Sequence, residues 1–130
     1  MTALQIAAVY VAANILILIW LAARVVSRRV KGEISRGDGG SDDLALAIRV
    51  HGNASEYIPG AMVGLVVAAL LCPVGLEWII HVVGGVFTAG RVLHAFGFGR
   101  SIVKLRQIGI LMTWAAMIGL VGVLLWLALG

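Results

Sequence analysis

The sequence contains little charge, few acidic residues and a single cysteine. Of its 130 residues, 12% are charged and 62% are hydrophobic, and the mean hydropathy is +1.07. This composition excludes an ordinary soluble domain and indicates an integral membrane protein. The one cysteine, Cys72, excludes an intrachain disulfide. Because His, Cys, Asp and Glu nowhere cluster with metal-ligand spacing, we predict that the protein binds no metal.

Four apolar runs are long enough to cross a bilayer. We predict transmembrane helices over residues 4–26, 42–71, 78–97 and 107–129, within a single domain over residues 1–130. The first run lacks a preceding basic segment and three more apolar runs follow it, so we interpret it as a span and not as a cleaved signal. The predicted fold is therefore an all-α integral membrane protein, a bundle of four antiparallel transmembrane helices joined by short connections.

The basic residues are concentrated in two connections. Of the ten Lys and Arg residues, five lie between the first and second runs and three between the third and fourth. Because loops rich in Lys and Arg stay in the cytoplasm, we predict that both basic loops are cytoplasmic and that both termini lie outside. The net charge of +4 thus reflects membrane topology, and we predict no nucleic-acid partner.

The segment RVHGNASEYIP, from Arg49 to Pro59, places polar side chains at the start of the second span. Arg49, Asn53 and Glu56 follow one another at i, i+4 and i+7, so they share one helix face. Ionisable groups at the membrane boundary are costly and are candidates for function. The alternative is an ion pair between Arg49 and Glu56 that only fastens helices together.

More cationic groups are predicted at the same end of the bundle. They are Arg28, Arg29, Arg91, His94, Arg100 and Arg106. Together with Glu56 as an acceptor, they describe a binding site for a ligand that carries several carboxylates or phosphates. Glutathione fits this description, and so does an anionic lipid headgroup. If the ligand is a thiol, a nearby arginine would stabilise the nucleophilic thiolate, and a pKa lowered by about two units corresponds to ~2.7 kcal/mol.

The same residues resemble the signature of a known family. The second helix is similar to the pattern R-x-x-x-N-x-x-E-x-x-P of the MAPEG family, the membrane-associated proteins in eicosanoid and glutathione metabolism, with Arg49, Asn53, Glu56 and Pro59 in register. The pair Arg28-Arg29 and the stretch GRVLHAFGFGR also look like family positions. The likeness covers nearly the whole chain and is to bacterial members that resemble microsomal glutathione transferases.

The resemblance implies a homotrimer in a bacterial inner membrane, with glutathione as co-substrate bound between neighbouring subunits at the cytoplasmic side. It implies a transferase or peroxidase of detoxification, with a hydrophobic or lipid-derived electrophile and membrane lipids as partners. The glutathione-binding residues would be Arg28, Arg49, His51, Asn53, Glu56, Tyr57, Arg91 and His94. The arginine that activates the thiol would be Arg106, which lies nearest to the family position, or else Arg100 or Arg29.

The chain departs from the family at Phe98, where characterised members carry a tyrosine, so one hydroxyl contact to glutathione is missing. A second hypothesis is therefore a non-catalytic, lipid-binding membrane scaffold, since the family includes a member without catalysis. A third, a small multidrug exporter, requires a membrane-embedded carboxylate. The first span has none, and arginines surround Glu56.

Overall fold

The computed structural model of the protein describes residues 1–100 and 102–130. Within these residues the chain forms four α-helices and no strand. They are α1 (Ala3–Lys31), α2 (Asp42–Leu71), α3 (Trp78–Gly99) and α4 (Val103–Leu129). All four helices are long and apolar enough to cross a membrane. The predicted all-α, four-span fold is confirmed, and the protein is an integral membrane protein.

The helix ends at the basic side of the bundle differ from the predicted ones. α1 continues to Lys31 instead of ending at residue 26, α3 continues to Gly99 instead of residue 97, and α4 begins at Val103 instead of residue 107. The extensions of α1 and α4 are rich in Lys and Arg, whose long apolar stems let a helix continue while the charged head reaches the membrane interface. These cations therefore lie on helices, so the helix geometry determines the face from which each side chain projects.

The start of α2 is defined by a cap and by an ion pair to α1. The Ser41 hydroxyl accepts a hydrogen bond from the Leu44 backbone N–H at 3.3 Å, and Asp42 and Asp43 occupy the first turn, where carboxylates favour a helix N-terminus. Arg28 Nε donates to Asp43 Oδ2 at 2.6 Å. This contact joins the end of α1 to the start of α2 and places Arg49 two turns into the helix.

α1 and α3 pack side by side and run in the same direction. The Tyr10 hydroxyl lies 3.1 Å from His81 Nδ1, and Asn14 Nδ2 donates to Thr88 Oγ1 at 2.8 Å. Further along, the rings of Trp20 and Phe96 are 5.7 Å apart. Residue numbers rise together on both helices, so α1 and α3 are parallel. Because the end of α1 also meets the start of α2 at Arg28 and Asp43, helices that follow each other in sequence are antiparallel, as predicted.

α3 and α4 approach each other through glycines. A Cβ atom at Gly90 would lie 2.9 Å from the Gly109 carbonyl oxygen, so both backbones need the missing side chains. Thr113 sits beside this crossing and donates its hydroxyl to the Gly109 carbonyl at 2.8 Å. The close approach brings the first turn of α4, with Arg106, next to the last turns of α3.

Candidate functional site

A cleft of about 230 Å³ lies between α2 and α3 at the end of the bundle that carries the basic residues, here called the basic end. The residues that line this α2–α3 cleft are Ile48, Arg49, Gly52, Asn53, Glu56 and Phe98. The predicted stripe of Arg49, Asn53 and Glu56 thus lines one cavity, because a spacing of i, i+4, i+7 keeps the three side chains on one face. Gly52, one turn after Arg49, leaves open space in the same face.

Arg91 does not line the cleft but lies directly behind the lining residue Asn53. Its side chain is 1% exposed, its Nη2 donates to Asn53 Oδ1 at 2.7 Å, and the same nitrogen lies 3.3 Å from His94 Nδ1. Nε and Nη1 of Arg91 are buried, and no acceptor for them exists among residues 1–100 and 102–130. Buried donors are costly when left unpaired, and two donor nitrogens of Arg91 are available for a further acceptor.

Tyr57, another predicted binding residue, links Arg91 on α3 to Trp114 on α4. Its ring lies 5.4 Å from the Arg91 guanidinium carbon, and its hydroxyl accepts a hydrogen bond from Trp114 Nε1 at 3.2 Å. Trp114 is not among the site residues predicted from the sequence. A signal was present, because the indole N–H of a tryptophan within an apolar run needs an acceptor.

Phe98 lines the cleft from α3, and Arg106 packs on the Phe98 ring. The Phe98 ring packs 5.6 Å from the His94 ring, and the Arg106 guanidinium carbon lies 5.1 Å from the Phe98 ring centre. Phe98 itself lines the cleft. Of the three arginines considered for thiol activation, Arg106 is therefore the one that packs on a cleft residue.

The structure does not bring Arg100 or Arg29 to the same cleft. Arg100 packs on Phe96, with 5.6 Å between its guanidinium carbon and the ring centre, on the side of α3 that faces α1. Arg29 is half-buried near the end of α1, and its Nη1 is buried without an acceptor in the described part of the chain.

Of the predicted binding residues, Tyr57, Arg91 and His94 pack behind the cleft lining, whereas Arg28 and His51 lie apart from it. Arg28 is occupied by Asp43 and by the Arg24 carbonyl oxygen, to which Nη1 donates at 3.2 Å. His51 is half-buried on α2 beside the stripe but does not line the cleft. Within a single chain, the cleft therefore contains part of the predicted set and not all of it.

The alternative interpretation of the stripe, an ion pair between Arg49 and Glu56, is wrong. Across residues 1–100 and 102–130 the only ion pair is Arg28–Asp43. A separation of seven residues places the two groups about 10 Å apart along the helix axis, so a ligand can reach both of them.

Exposed residues form the rim of the cleft, and the buried residues behind its lining are predominantly positive. Arg49 and Glu56 at the rim are exposed, Asn53 is half-buried, and Arg91 and His94 are buried. With two arginines against one carboxylate, this arrangement suits a ligand with anionic groups and one donor for Glu56. No three His, Cys, Asp or Glu side chains come close enough to hold a metal ion in the described part of the chain.

Comparisons with known proteins identify the family of the chain. The sequence matches the model of the MAPEG family over residues 7–126. Inner membrane protein YecN of Escherichia coli strain K12 is 37% identical over 123 residues, which span 94% of this chain and 92% of YecN. YecN of Escherichia coli O6:H1 strain CFT073 gives the same identity and coverage. With a family match over nearly its full length, the chain belongs to the MAPEG family.

Proposed function

We propose that the protein is a glutathione-dependent transferase or peroxidase that acts on hydrophobic electrophiles in the bacterial inner membrane. The observation that carries this proposal is the α2–α3 cleft, in which Arg49, Asn53 and Glu56 line one cavity above the buried Arg91. The family to which the chain belongs includes glutathione transferases, and the relative YecN is named an inner membrane protein.

The polar groups of the cleft complement those of glutathione. The two carboxylates of the tripeptide would pair with Arg49 and with the two unpaired guanidinium nitrogens of Arg91, and its ammonium would pair with Glu56. Because Asn53 Oδ1 already accepts from Arg91, the amide nitrogen of Asn53 remains as a donor to the ligand. Of these groups, Arg91 and Asn53 already hold each other in place through their hydrogen bond.

Arg106 is the arginine that we assign to thiolate stabilisation, since it packs on the cleft residue Phe98. In conjugation, the thiolate sulfur forms a bond to an electrophilic carbon, and the leaving group departs with its bonding electrons. In peroxide reduction, two glutathione molecules supply two electrons and two protons, which yields glutathione disulfide, an alcohol and water. The apolar surface of the helices would supply the electrophile from the bilayer.

We further propose a homotrimer in which each site lies between neighbouring subunits, with both basic loops cytoplasmic and both termini outside. Support comes from the residues that a single chain leaves apart. Arg29 carries a buried, unpaired Nη1 but does not line the cleft of its own chain. A neighbouring subunit would bring the end of its α1, with Arg28 and Arg29, to the open side of the cleft.

The test is the ultraviolet thiolate band of glutathione, titrated against the purified protein in detergent at neutral pH, with calorimetry on the same samples. We expect a stoichiometric thiolate signal for the wild type. Arg49→Ala should weaken binding, and Arg106→Ala should bind glutathione but lose the thiolate band. Lys104→Ala, which removes an exposed cation at the same end of the bundle, is the control. Absence of both the thiolate and calorimetric binding would overturn the proposal.

A non-catalytic, lipid-binding scaffold is the second candidate function, and Phe98 favours it. The phenyl ring of Phe98 lines the cleft at the position where the family signature brings a hydroxyl. In that case calorimetry would show glutathione binding without a thiolate band, or would show no glutathione binding at all.

A further inference from the structure

A second concave surface lies on the other side of α3, between α1 and α3. Its apolar part has a volume of about 280 Å³ and continues into a polar end of about 170 Å³ through the shared residues Trp20, Ala95 and Phe96. The remaining residues of this α1–α3 groove are Leu16, Ile17 and Val92 in the apolar part, and Arg24 and Arg100 at the polar end.

Two guanidinium groups are held at one end of the groove by its own aromatic rings. Arg24 lies 5.1 Å from the ring centre of Trp20, and Arg100 lies 5.6 Å from that of Phe96. In the described part of the chain neither arginine has a carboxylate partner, because the ion pair there joins Arg28 to Asp43. The rings thus hold two positive charges, neither of them in an ion pair within the described residues, at the same end of the groove, where they can bind an anion.

The groove matches one leaflet of a bilayer in length and in polarity. From Leu16 to Arg24, α1 rises by about 12 Å, which is close to half of the ~30 Å hydrocarbon thickness. The polar end coincides with the basic end of the bundle, where arginines reach the headgroup region, and the apolar part extends toward the midplane. An occupant therefore needs an anionic head and a hydrocarbon tail aligned with the helices.

We infer that the α1–α3 groove is a binding site for one anionic phospholipid of the leaflet at the basic end. Arg24 and Arg100 bind the phosphate, whose negative charge no headgroup cation neutralises, and an acyl chain lies along Leu16, Ile17 and Val92. Glutathione is too polar for this groove, so the lipid site is distinct from the α2–α3 cleft. The inference holds whether or not the protein uses glutathione.

The experiment is native mass spectrometry of the full-length protein in detergent, titrated with phosphatidylglycerol or with zwitterionic phosphatidylcholine of the same acyl chains. We expect one phosphatidylglycerol per protomer to bind in preference to phosphatidylcholine. The double variant Arg24→Gln/Arg100→Gln should bind this lipid roughly tenfold more weakly or worse, because each cation near the headgroups contributes to anionic-lipid affinity. Val92→Trp, which fills the apolar part without changing charge, should also reduce binding.

The matched control is Lys31→Gln/Lys104→Gln, which removes two positive charges at the basic end outside the groove. This control should retain wild-type binding of phosphatidylglycerol. Equal loss in the control and in the arginine double variant would reduce the effect to general charge attraction and overturn the site. The site is also overturned if the arginine double variant dissociates the oligomer while the lipid count per protomer is unchanged, because a second copy of the chain would then occupy the groove.

Discussion

At the scale of the residue, Arg91 is the side chain whose burial most needs an explanation, because burying a charged group without partners for all its donors costs free energy. It is 1% exposed, and Asn53 and His94 are the groups within hydrogen-bond distance of its guanidinium, with Nε and Nη1 unpaired in the described residues. The sequence predicts that Arg91 and His94 belong to the ligand-binding site. It could not predict that Arg91 is deeply buried against Asn53, because burial depends on how closely α2 and α3 pack.

Arg91→Met separates the structural from the functional role of this side chain. Methionine fills a similar volume without a charge, and replacing a buried, incompletely paired ion by an apolar group is often neutral or stabilising. We expect an unchanged or higher thermal midpoint by scanning fluorimetry and at least a tenfold loss of glutathione affinity by calorimetry. A variant that unfolds while the folded fraction still binds glutathione normally would show that Arg91 is structural.

Phe98→Tyr tests the one departure from the family signature. The ring lines the α2–α3 cleft, so a hydroxyl on it could donate to the ligand without moving the backbone. One hydrogen bond contributes about 0.5–1.5 kcal/mol, which corresponds to roughly two- to tenfold tighter glutathione binding. Phe96→Tyr places the same hydroxyl in the α1–α3 groove and should leave glutathione affinity unchanged. Equal effects of the two substitutions would contradict the assignment of the cleft.

At the scale of the element, the sequence predicts each helix from its apolar run but not where the basic ends stop. Hydropathy falls at Arg28 and at Lys104, yet both residues are helical, since their charges leave the membrane through long side chains. The fourth span has few polar residues, so its sequence gives little sign of a role in the site. Its contributions, Trp114 on Tyr57 and Arg106 on Phe98, depend on the α3–α4 crossing, which pairs of small residues alone do not specify.

Gly109→Ala tests that crossing. An added Cβ would lie 2.7 Å from the Gly90 carbonyl oxygen and 2.7 Å from the His94 Cα, both of them backbone atoms that cannot rotate away. We expect the α3–α4 pair to separate, with a loss of about 1–3 kcal/mol of stability and a weaker thiolate signal as Arg106 leaves Phe98. Gly122→Ala on the same helix meets no atom within 4 Å and should be neutral or slightly stabilising. A thermal midpoint for Gly109→Ala equal to that of Gly122→Ala would contradict the close crossing.

At the scale of the whole molecule, the amino-acid sequence predicts that the protein lies in a membrane and crosses it four times, but it does not predict how many copies assemble. α1 and α4 expose many large apolar side chains. Lipid tails and a neighbouring subunit can both pack against such a surface, so the surface does not show which of them does. The trimer is therefore a proposal from the family, and the single-chain cleft gives it a testable form. If the site is shared, Arg29 acts in the cleft of a neighbouring chain.

Mixed oligomers test this sharing directly. Arg29→Ala and Arg49→Ala would each inactivate every site of a homotrimer. In a ring of mixed chains, however, a cleft with intact Arg49 can meet a neighbour with intact Arg29, which for random mixing restores about a quarter of the sites. Tandem-tag purification removes the homotrimers, and each remaining mixed trimer has one complete site of three, so we expect the purified mixed oligomers to recover about a third of the thiolate signal. Mixing Arg49→Ala with Glu56→Gln, two residues of one cleft, should recover nothing, since no chain then carries a complete cleft. Equal recovery in both mixtures, or none in the first, would mean that each chain binds glutathione with its own residues.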